Sequence, residues 1–339
     1  MKQIKSLKLR NCGAVPPIDI SDLSKLNLII GENGAGKTFV LKAMYAAVRS
    51  AEDYKRGNDT RSFAEILTDR LRWTYQVEKI GDIVNRSSDS VLEFDMLVDN
   101  KTLQFSFNKK NKKVNISNLR YPDDESKGNS VFIPAKEIIS LINVILKSRD
   151  FDKSFGYDDT YYELAKALNI TSLSNGQKYE DICAKITKIM GGKIEFDPKT
   201  KSWLFIKNGK KLSINITSEG IKKLAIISRL LETGYVNENS IIFIDEIESA
   251  LHPKAISDLL DIIEFIAYDL GLQVIITSHS YFVIKKMHLI ALKRKQPLSC
   301  ISLTSDGAKY YDMSNGMPDN SIIDESIRLY EEEVGEVLG

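Results

Sequence analysis

The chain has 339 residues, of which 43% are hydrophobic and 27% charged, enough to bury one large core or two smaller ones. Its 47 basic residues balance 46 acidic ones, which gives no overall attraction to nucleic acid or to a membrane surface. No apolar run reaches the roughly 20 residues that a membrane-spanning helix needs. Three isolated cysteines indicate neither a disulfide framework nor a zinc site. The composition predicts a cytoplasmic protein without a membrane segment.

The first two thirds of the chain mix short strands with helices. Two strands are predicted around Pro16-Pro17, one at residues 26–30, and a helix runs from Lys37 to about Arg49. Residues 91–117 alternate apolar and polar side chains, which predicts an antiparallel meander. Residues 130–133 form a buried-type strand, with a helix predicted over residues 137–146. Further strands are predicted at 193–196, 203–206 and 212–216.

The last third alternates helices with apolar strands. Helices are predicted over residues 218–231, 255–268 and 281–287, and strands over 241–244, 274–277, 300–303 and 309–312. This alternation is typical of a mostly parallel sheet that is covered on both faces.

A glycine-rich segment, GENGAGKT at residues 31–38, lies between a predicted strand and a predicted helix. It fits the G-x-x-x-x-G-K-[ST] pattern of a phosphate-binding P-loop, whose glycines let backbone N–H groups surround a triphosphate. Lys37 would reach the β- and γ-phosphates, and the Thr38 hydroxyl would join a Mg²⁺ shell. The predicted contacts to the nucleotide are Gly31, Glu32, Asn33, Gly34, Ala35, Gly36, Lys37, Thr38 and Phe39.

Two carboxylates, Asp245 and Glu246, follow the apolar strand at residues 241–244. Ligands of open α/β sheets bind at the carboxyl ends of such strands. Asp245 suits the Mg²⁺ shell, and Glu246 could polarise the water that attacks the γ-phosphate. A strand that simply ends at a polar turn is the alternative, which the P-loop disfavours.

Thr277-Ser278-His279 follows the next predicted strand. A single histidine is more often structural than catalytic, but an imidazole at this sheet edge could contact the γ-phosphate. His252 and His288 lack such a setting, and we assign them no role.

In chain order, GENGAGKT, TSEGIKKL, IDEIESALHP and ITSHS resemble the motifs of ABC-type ATPase heads of the RecF, SMC and OLD (overcoming lysogenization defect) groups. The resemblance is strongest to small OLD-like and RecF-like ATPases of bacterial genome maintenance and phage defence. It implies ATP as the nucleotide and Walker A at residues 31–38, with Lys37 among the catalytic groups. It also implies Asp245 as the Walker B aspartate, Glu246 as the catalytic glutamate and His279 as the switch histidine.

Two further segments resemble motifs that act across a dimer interface. Ser218-Glu219-Gly220 resembles the ABC signature, in which Ser218 and Gly220 would grip the γ-phosphate of ATP held by a second copy. Residues 249–251 resemble the D-loop. A plain helix N-cap is the alternative for Ser218, but its place just upstream of Asp245 favours the signature role. The resemblance therefore implies a homodimer with ATP at its interface.

The signature-like segment departs from many ABC proteins, since it has Glu219 in place of glycine and Ile221 in place of glutamine. No clear Q-loop glutamine follows the meander, so that Lys136 or Glu137 could take its place. Both departures argue against a transporter ATPase.

The resemblance implies an α/β, ABC-type P-loop NTPase fold with a mostly parallel sheet, an antiparallel β meander and a helical/β insertion. We expect a discontinuous ATP-binding core at residues 1–50 and 216–339. A β lobe with helices would occupy residues 51–135, and a helical lobe with a β insertion residues 136–215.

Two functions remain open at this point. In the first, an ATPase dimerises around ATP and drives or gates a separately encoded effector in phage defence or DNA maintenance. In the second, a nucleotide-gated scaffold with little turnover holds or inhibits a partner toxin or nuclease, and DNA or RNA could also bind. No nuclease domain is expected, because the 60 residues after His279 are too few for a Toprim domain and contain no Asp-x-Asp. The acidic amphipathic pattern at residues 322–338 could dock a partner, although packing on its own head is the commoner outcome.

Overall fold

The computed structural model describes residues 2–86, 90–120, 128–170, 179–200, 202–305 and 307–338. Its strands are β1 (Ile4–Arg10), β2 (Ile18–Ile20), β3 (Leu26–Gly31), β4 (Val91–Val98), β5 (Lys101–Asn108), β6 (Asn115–Leu119), β7 (Val131–Ile133), β8 (Lys193–Asp197), β9 (Ser202–Lys207), β10 (Lys210–Ser213), β11 (Ile241–Ile244), β12 (Gln273–Ser278), β13 (Ser299–Thr304) and β14 (Gly307–Asp312). Its helices are α1 (Lys37–Asp53), α2 (Phe63–Tyr75), α3 (Ile142–Asp150), α4 (Asp159–Leu168), α5 (Glu180–Met190), α6 (Glu219–Glu232), α7 (Pro253–Tyr268), α8 (Tyr281–Arg294) and α9 (Ser321–Leu338).

A six-stranded sheet forms the centre of the molecule, in the order β14-β13-β3-β12-β11-β7. Its strands run parallel except for β14, which pairs antiparallel with β13 at one edge. The inner strands are buried along their whole length, which explains why they carry continuous apolar runs rather than an alternating pattern. Because they are parallel, the carboxyl ends of β3, β11 and β12 meet at one edge.

A second, antiparallel sheet has the order β2-β1-β4-β5-β6 and contains the predicted meander. Helix α1 is buried over most of its length, and its side chains share one core with this sheet and with one face of the parallel sheet. The other face of the parallel sheet packs in a second core with helices α6, α7 and α8 and with the helices of the insertion. The helix that follows the P-loop is therefore held on both sides.

The insertion between β7 and α6 contains α3, α4, α5 and a three-stranded sheet in the order β10-β9-β8. The predicted α/β fold, with its mostly parallel sheet, antiparallel meander and helical/β insertion, is confirmed. The strand pairing does not follow the expected division into lobes. Strands β1 and β2, from the expected core, pair with the meander, and β7, from the expected β lobe, pairs with the parallel sheet.

Three predicted boundaries are wrong. The helix expected over residues 137–146 begins only at Ile142, and α8 continues seven residues past Met287 to Arg294. The strand expected at residues 212–216 ends at Ser213, and a single 3₁₀ turn follows it. Within the described residues, no helix is both long and apolar enough to cross a membrane.

Candidate functional site

The P-loop joins the end of β3 to the start of α1 and contains two close backbone contacts. A Cβ atom on Gly31 would lie 2.6 Å from the carbonyl oxygen of Leu303, and one on Gly36 would lie 2.8 Å from Val15 Cγ2. Gly36 also has φ +91°, a conformation that L side chains rarely adopt. Glycine is therefore required at both ends of the loop by sterics as well as by the turn, while Glu32, Asn33 and Gly34 lie exposed at its tip.

The Lys37 side chain is buried inside the loop. Its ammonium group donates hydrogen bonds to the carbonyl oxygens of Gly31 at 2.8 Å and Glu32 at 2.9 Å. Burial lowers the pKa of Lys37, and the carboxylates of Glu246, Glu248 and Asp245 act against that shift. The two hydrogen-bond partners of the Lys37 ammonium group are neutral carbonyls, which leave its charge unbalanced, so this group is suited to bind an anion.

Asp245 lies at the end of β11 and connects three elements. Thr38 Oγ1, from the first turn of α1, donates to its two carboxylate oxygens at 2.9 and 3.0 Å. Thr277 Oγ1, near the end of β12, donates to Oδ1 at 2.7 Å. Burial raises the pKa of Asp245, and these two hydroxyl groups oppose the rise. The arrangement places a carboxylate and a hydroxyl oxygen side by side.

Glu246 occupies a strained backbone position with φ +42°, which costs about 1 kcal/mol for a residue with a side chain. Its backbone N–H donates to Thr277 Oγ1 at 2.8 Å, which fixes the turn immediately after β11. Its own side chain is about one third exposed. The carboxylate of Glu246 therefore faces the open edge of the sheet while its backbone is held.

Lys223, in the second turn of α6, binds the backbone of the segment that begins at Glu246. Its ammonium group is buried and donates to the carbonyl oxygens of Glu246 at 3.3 Å, Ile247 at 3.5 Å and Ser249 at 3.1 Å. Burial lowers the pKa of Lys223 to about 8, although nearby carboxylates favour its charged form. The helix that carries the signature-like segment is thus bonded to the predicted catalytic turn.

His279 lies beside two carboxylates just after β12. Its Nδ1 is 3.4 Å from Glu248 Oε1 and 4.0 Å from Glu246 Oε1. Glu248 Oε1 also accepts hydrogen bonds from the His279 backbone N–H at 2.8 Å and from Ser278 Oγ at 2.9 Å. Glu248 therefore positions the histidine next to Glu246.

Ser218 and Gly220 lie at the start of α6. Ser218 is exposed and caps the helix, accepting from the backbone N–H of Ile221 at 3.5 Å. A Cβ on Gly220 would lie 3.2 Å from Leu251, in the D-loop-like segment, and 3.7 Å from Ala255. The structure brings the signature-like and D-loop-like segments together, and within one chain Ser218 is accessible for a contact with another molecule.

The segment in the position of a Q-loop is bonded to the same helix. Glu137 Oε1 pairs with Lys222 Nζ at 3.2 Å, and the same ammonium group pairs with Glu219 at 3.0 Å. Burial, together with the charges of Asp158 and Asp245, raises the pKa of Tyr161 to about 12. Tyr161 therefore approaches the Asp245 region from the insertion.

The donor atoms fit a magnesium nucleotide. Magnesium prefers oxygen ligands and usually keeps waters, taking only one or two groups from the protein and the rest from substrate phosphates. Thr38 and Asp245 could supply such a pair, and Lys37 could supply a cation for the phosphates. Among the described residues no cluster of three or more His, Cys, Asp or Glu could hold a metal ion.

Several residues at this edge received no role from the sequence motifs. Thr277 bridges Asp245 to the Glu246 backbone, and Glu248 and Lys223 position the segments around it. Weak signals existed, since Thr277 is a polar residue that ends an apolar strand and Glu248 follows Glu246 by two positions. Phe39, a predicted contact to the nucleotide, packs on Tyr75, with ring centroids 4.4 Å apart.

Comparisons with known proteins place the chain in a family. Residues 26–285 match the family described as "AAA domain, putative AbiEii toxin, Type IV TA system". Among curated proteins, none matches the chain.

Solved structures show the fold. The SMC head domain from Pyrococcus furiosus, bound to the C-terminal domain of ScpA, is 12% identical with a TM-score of 0.54, over 98% of this chain and 99% of that one. An SMC head bound to the C-winged helix domain of ScpA is 13% identical with a TM-score of 0.56, over 92% and 99%. At these identities the likeness concerns the fold, and the expected closeness to OLD-like proteins stays a prediction. The chain belongs to this AAA family, and its fold is that of an ABC-type ATPase head.

Proposed function

We propose that this protein binds and hydrolyses ATP, and that two copies close around two ATP molecules. In each ATP site, Ser218 and Gly220 of the other copy would complete the contacts to the nucleotide. The family and the fold support ATP binding and hydrolysis. The observation that carries the proposal is the shared site in which Thr38, Asp245, Thr277 and Glu246 meet the P-loop.

The residues have separate parts in the proposed reaction. Lys37 would exchange its two carbonyl partners for phosphate oxygens, which stabilises the charge of the transferred group. Thr38 and Asp245 would hold Mg²⁺, which neutralises the phosphate charge when bound. Glu246, fixed through its backbone, would orient and deprotonate the attacking water, and His279 would face the γ-phosphate beside it.

We further propose a partner effector, encoded separately, in phage defence or DNA maintenance. The family description names a toxin system, and the SMC heads of similar fold are bound to domains of ScpA. Both facts support a head that acts on another protein. DNA or RNA as a second ligand and the absence of a nuclease domain remain predictions.

The second candidate function is a nucleotide-gated scaffold with little turnover. The ion pairs of Lys222 with Glu137 and Glu219 favour it, because they occupy charged groups of the Q-loop-like and signature-like segments within one chain. Multiple turnover of ATP by the pure protein would exclude this candidate.

The test uses the full chain with Mg-ATP. Wild type should hydrolyse ATP, Lys37→Ala should bind none, and Glu246→Gln should retain ATP and double its mass in light scattering. Glu325→Gln, on exposed α9, is the matched control and should behave as wild type. Undiminished turnover in Glu246→Gln would contradict its role, and a monomeric Glu246→Gln with bound ATP would contradict closure.

A further inference from the structure

The C-terminal helix α9 is mostly exposed beyond its first turn. Near its start, Ile322 and Ile323 pack against the core cluster of the parallel sheet. Beyond them Ile327 is 51% exposed, Tyr330 66% and Val337 76%, while Val334 is half-buried. Exposed large apolar groups at regular spacing indicate an interaction surface rather than a solvated face.

These apolar residues follow a heptad pattern. Ile323, Ile327, Tyr330, Val334 and Val337 are separated by four, three, four and three residues, which is the alternation of d and a positions in a coiled coil. Such residues line one side of a helix and form the seam that packs against a second helix. We call this stripe, from Ile323 to Val337, the α9 seam.

Most positions beside the seam are acidic, the exception among residues 324–333 being Ser326. With Ile327 at position a, Asp324 and Glu331 fall at e positions and Glu333 at a g position. The whole helix contains six acidic residues and one basic residue, Arg328, which pairs within the helix with Glu325 and Glu332 at 2.8 Å each. In coiled coils the e and g charges decide which helix can pair.

We propose that α9 is a docking helix for an amphipathic helix of another protein whose positions beside its own apolar seam carry Lys or Arg. Pairing with a second copy would set acidic residues against each other, which is unfavourable. The same charge repels nucleic acid and anionic membranes. A basic amphipathic helix would pack its apolar residues on the α9 seam and pair its Lys or Arg residues with the acidic residues beside it. This binding needs no ATP turnover.

The probe is a labelled helical peptide of about three heptads with Ile at a, Leu at d and Lys at e and g. Its twin has Glu at e and g. Fluorescence anisotropy with the full chain should show binding of the Lys peptide, weaker at high salt, and none of the Glu peptide.

Two variants separate the seam from its charges. Ile327→Ser/Val334→Ser removes apolar area and should weaken binding at least about tenfold. Glu331→Lys/Glu333→Lys should shift the preference to the Glu peptide. Both variants should keep wild-type ATP hydrolysis, so a failure of the ATPase proposal and a failure of this one are distinguishable.

Three outcomes would overturn the proposal: failure of the Lys peptide to bind, equal binding of both peptides, or binding that the seam variant leaves unchanged. A nucleotide-free dimer that Ile327→Ser/Val334→Ser abolishes would show a second copy on the seam, and would overturn it too.

Discussion

Lys223 joins the signature-like helix to the turn at Glu246 through three carbonyl oxygens, and the positive charge of its ammonium group strengthens those hydrogen bonds. The carboxylates that favour that charge are Glu248, Glu219, Asp245 and Glu246. The neighbouring Lys222 points to Glu137 and Glu219 instead.

Turnover should therefore decline as the pH rises through about 8, because Lys223 then loses its proton. Stability should change in the opposite direction. Since burial lowers the folded pKa from 10.5, the penalty for the buried charge is fully present below about pH 8 and is relieved between there and 10.5. If the free energy of unfolding rises with pH between about 8 and 10.5 while turnover falls over the same range, Lys223 has a positioning role.

The variants test the same point. Lys223→Met should lower kcat about ten- to a hundredfold through misplacement of Glu246, and Lys223→Arg should remove the alkaline decline. Lys254→Met, at a side chain that is 81% exposed, is the control. An unchanged pH profile in Lys223→Arg would contradict the assignment.

At the residue scale, the motifs located Lys37, Thr38, Asp245, Glu246 and His279, and the structure brings these residues to one sheet edge. Their roles in ATP chemistry stay predictions. Thr277 gave only a weak signal and Lys223 gave none, because Lys223 bonds backbone atoms of a distant segment and Thr277 bonds the Glu246 backbone and the Asp245 carboxylate across two strands. A sequence pattern records side-chain types, whereas such bonds depend on the fold.

Among the elements, α1, α2 and α4 meet in a buried network of charges. Arg70 of α2 pairs with Asp53 of α1 and with Asp159 of α4, both at 2.5 Å. Its side chain is only 10% exposed. Lys42 of α1 also pairs with Asp158, the N-cap of α4, at 2.6 Å. The insertion is thus joined to the P-loop helix by ion pairs as well as by apolar contacts.

Arg70→Met should destabilise the protein by about 1.5–3 kcal/mol, because two carboxylates lose their shared cation while Asp53 keeps Arg49 and Asp159 keeps Arg149. Urea unfolding followed by circular dichroism measures the loss. Arg328→Met is the control, since its two ion pairs are exposed on α9 and should change stability little. Equal losses of unfolding free energy in the two variants would show that the buried network stabilises the protein no more than an exposed ion pair does.

Periodicity predicted most elements because apolar runs and alternation report burial directly. It failed where the environment decides the ending, as in α8, which continues to Arg294. The charged residues of α1 and α2 gave no sign of the network, since each partner lies on a different helix.

At the scale of the whole molecule, the proposed dimer makes each site composite. Lys37→Ala lacks its own P-loop cation but keeps Ser218, and Ser218→Arg blocks the partner's site but keeps its own P-loop. Each variant alone should be inactive. Mixed one to one, they should regain about a quarter of wild-type turnover, since half of the dimers are mixed and each has one intact site.

Phosphate release from the titrated mixture measures this complementation. Ser218 is exposed, so Ser218→Arg costs the N-cap of α6, about 1 kcal/mol, without disturbing the core, and a circular dichroism spectrum of the variant checks the fold. A mixture as inactive as its components would argue against a site shared between two copies.

The P-loop, the two carboxylates and the alternation of strands and helices could be predicted from residue order alone. A glycine-rich pattern that ends in lysine, and apolar runs that indicate buried strands, are each compatible with few structures. Only the tertiary structure decided that β1 and β2 pair with the meander and that β7 joins the parallel sheet, since strand pairing depends on contacts between distant residues. It also decided the environment of Asp245 and the exposure of the α9 seam. Both depend on what packs nearby, and the identity of a residue alone does not specify that.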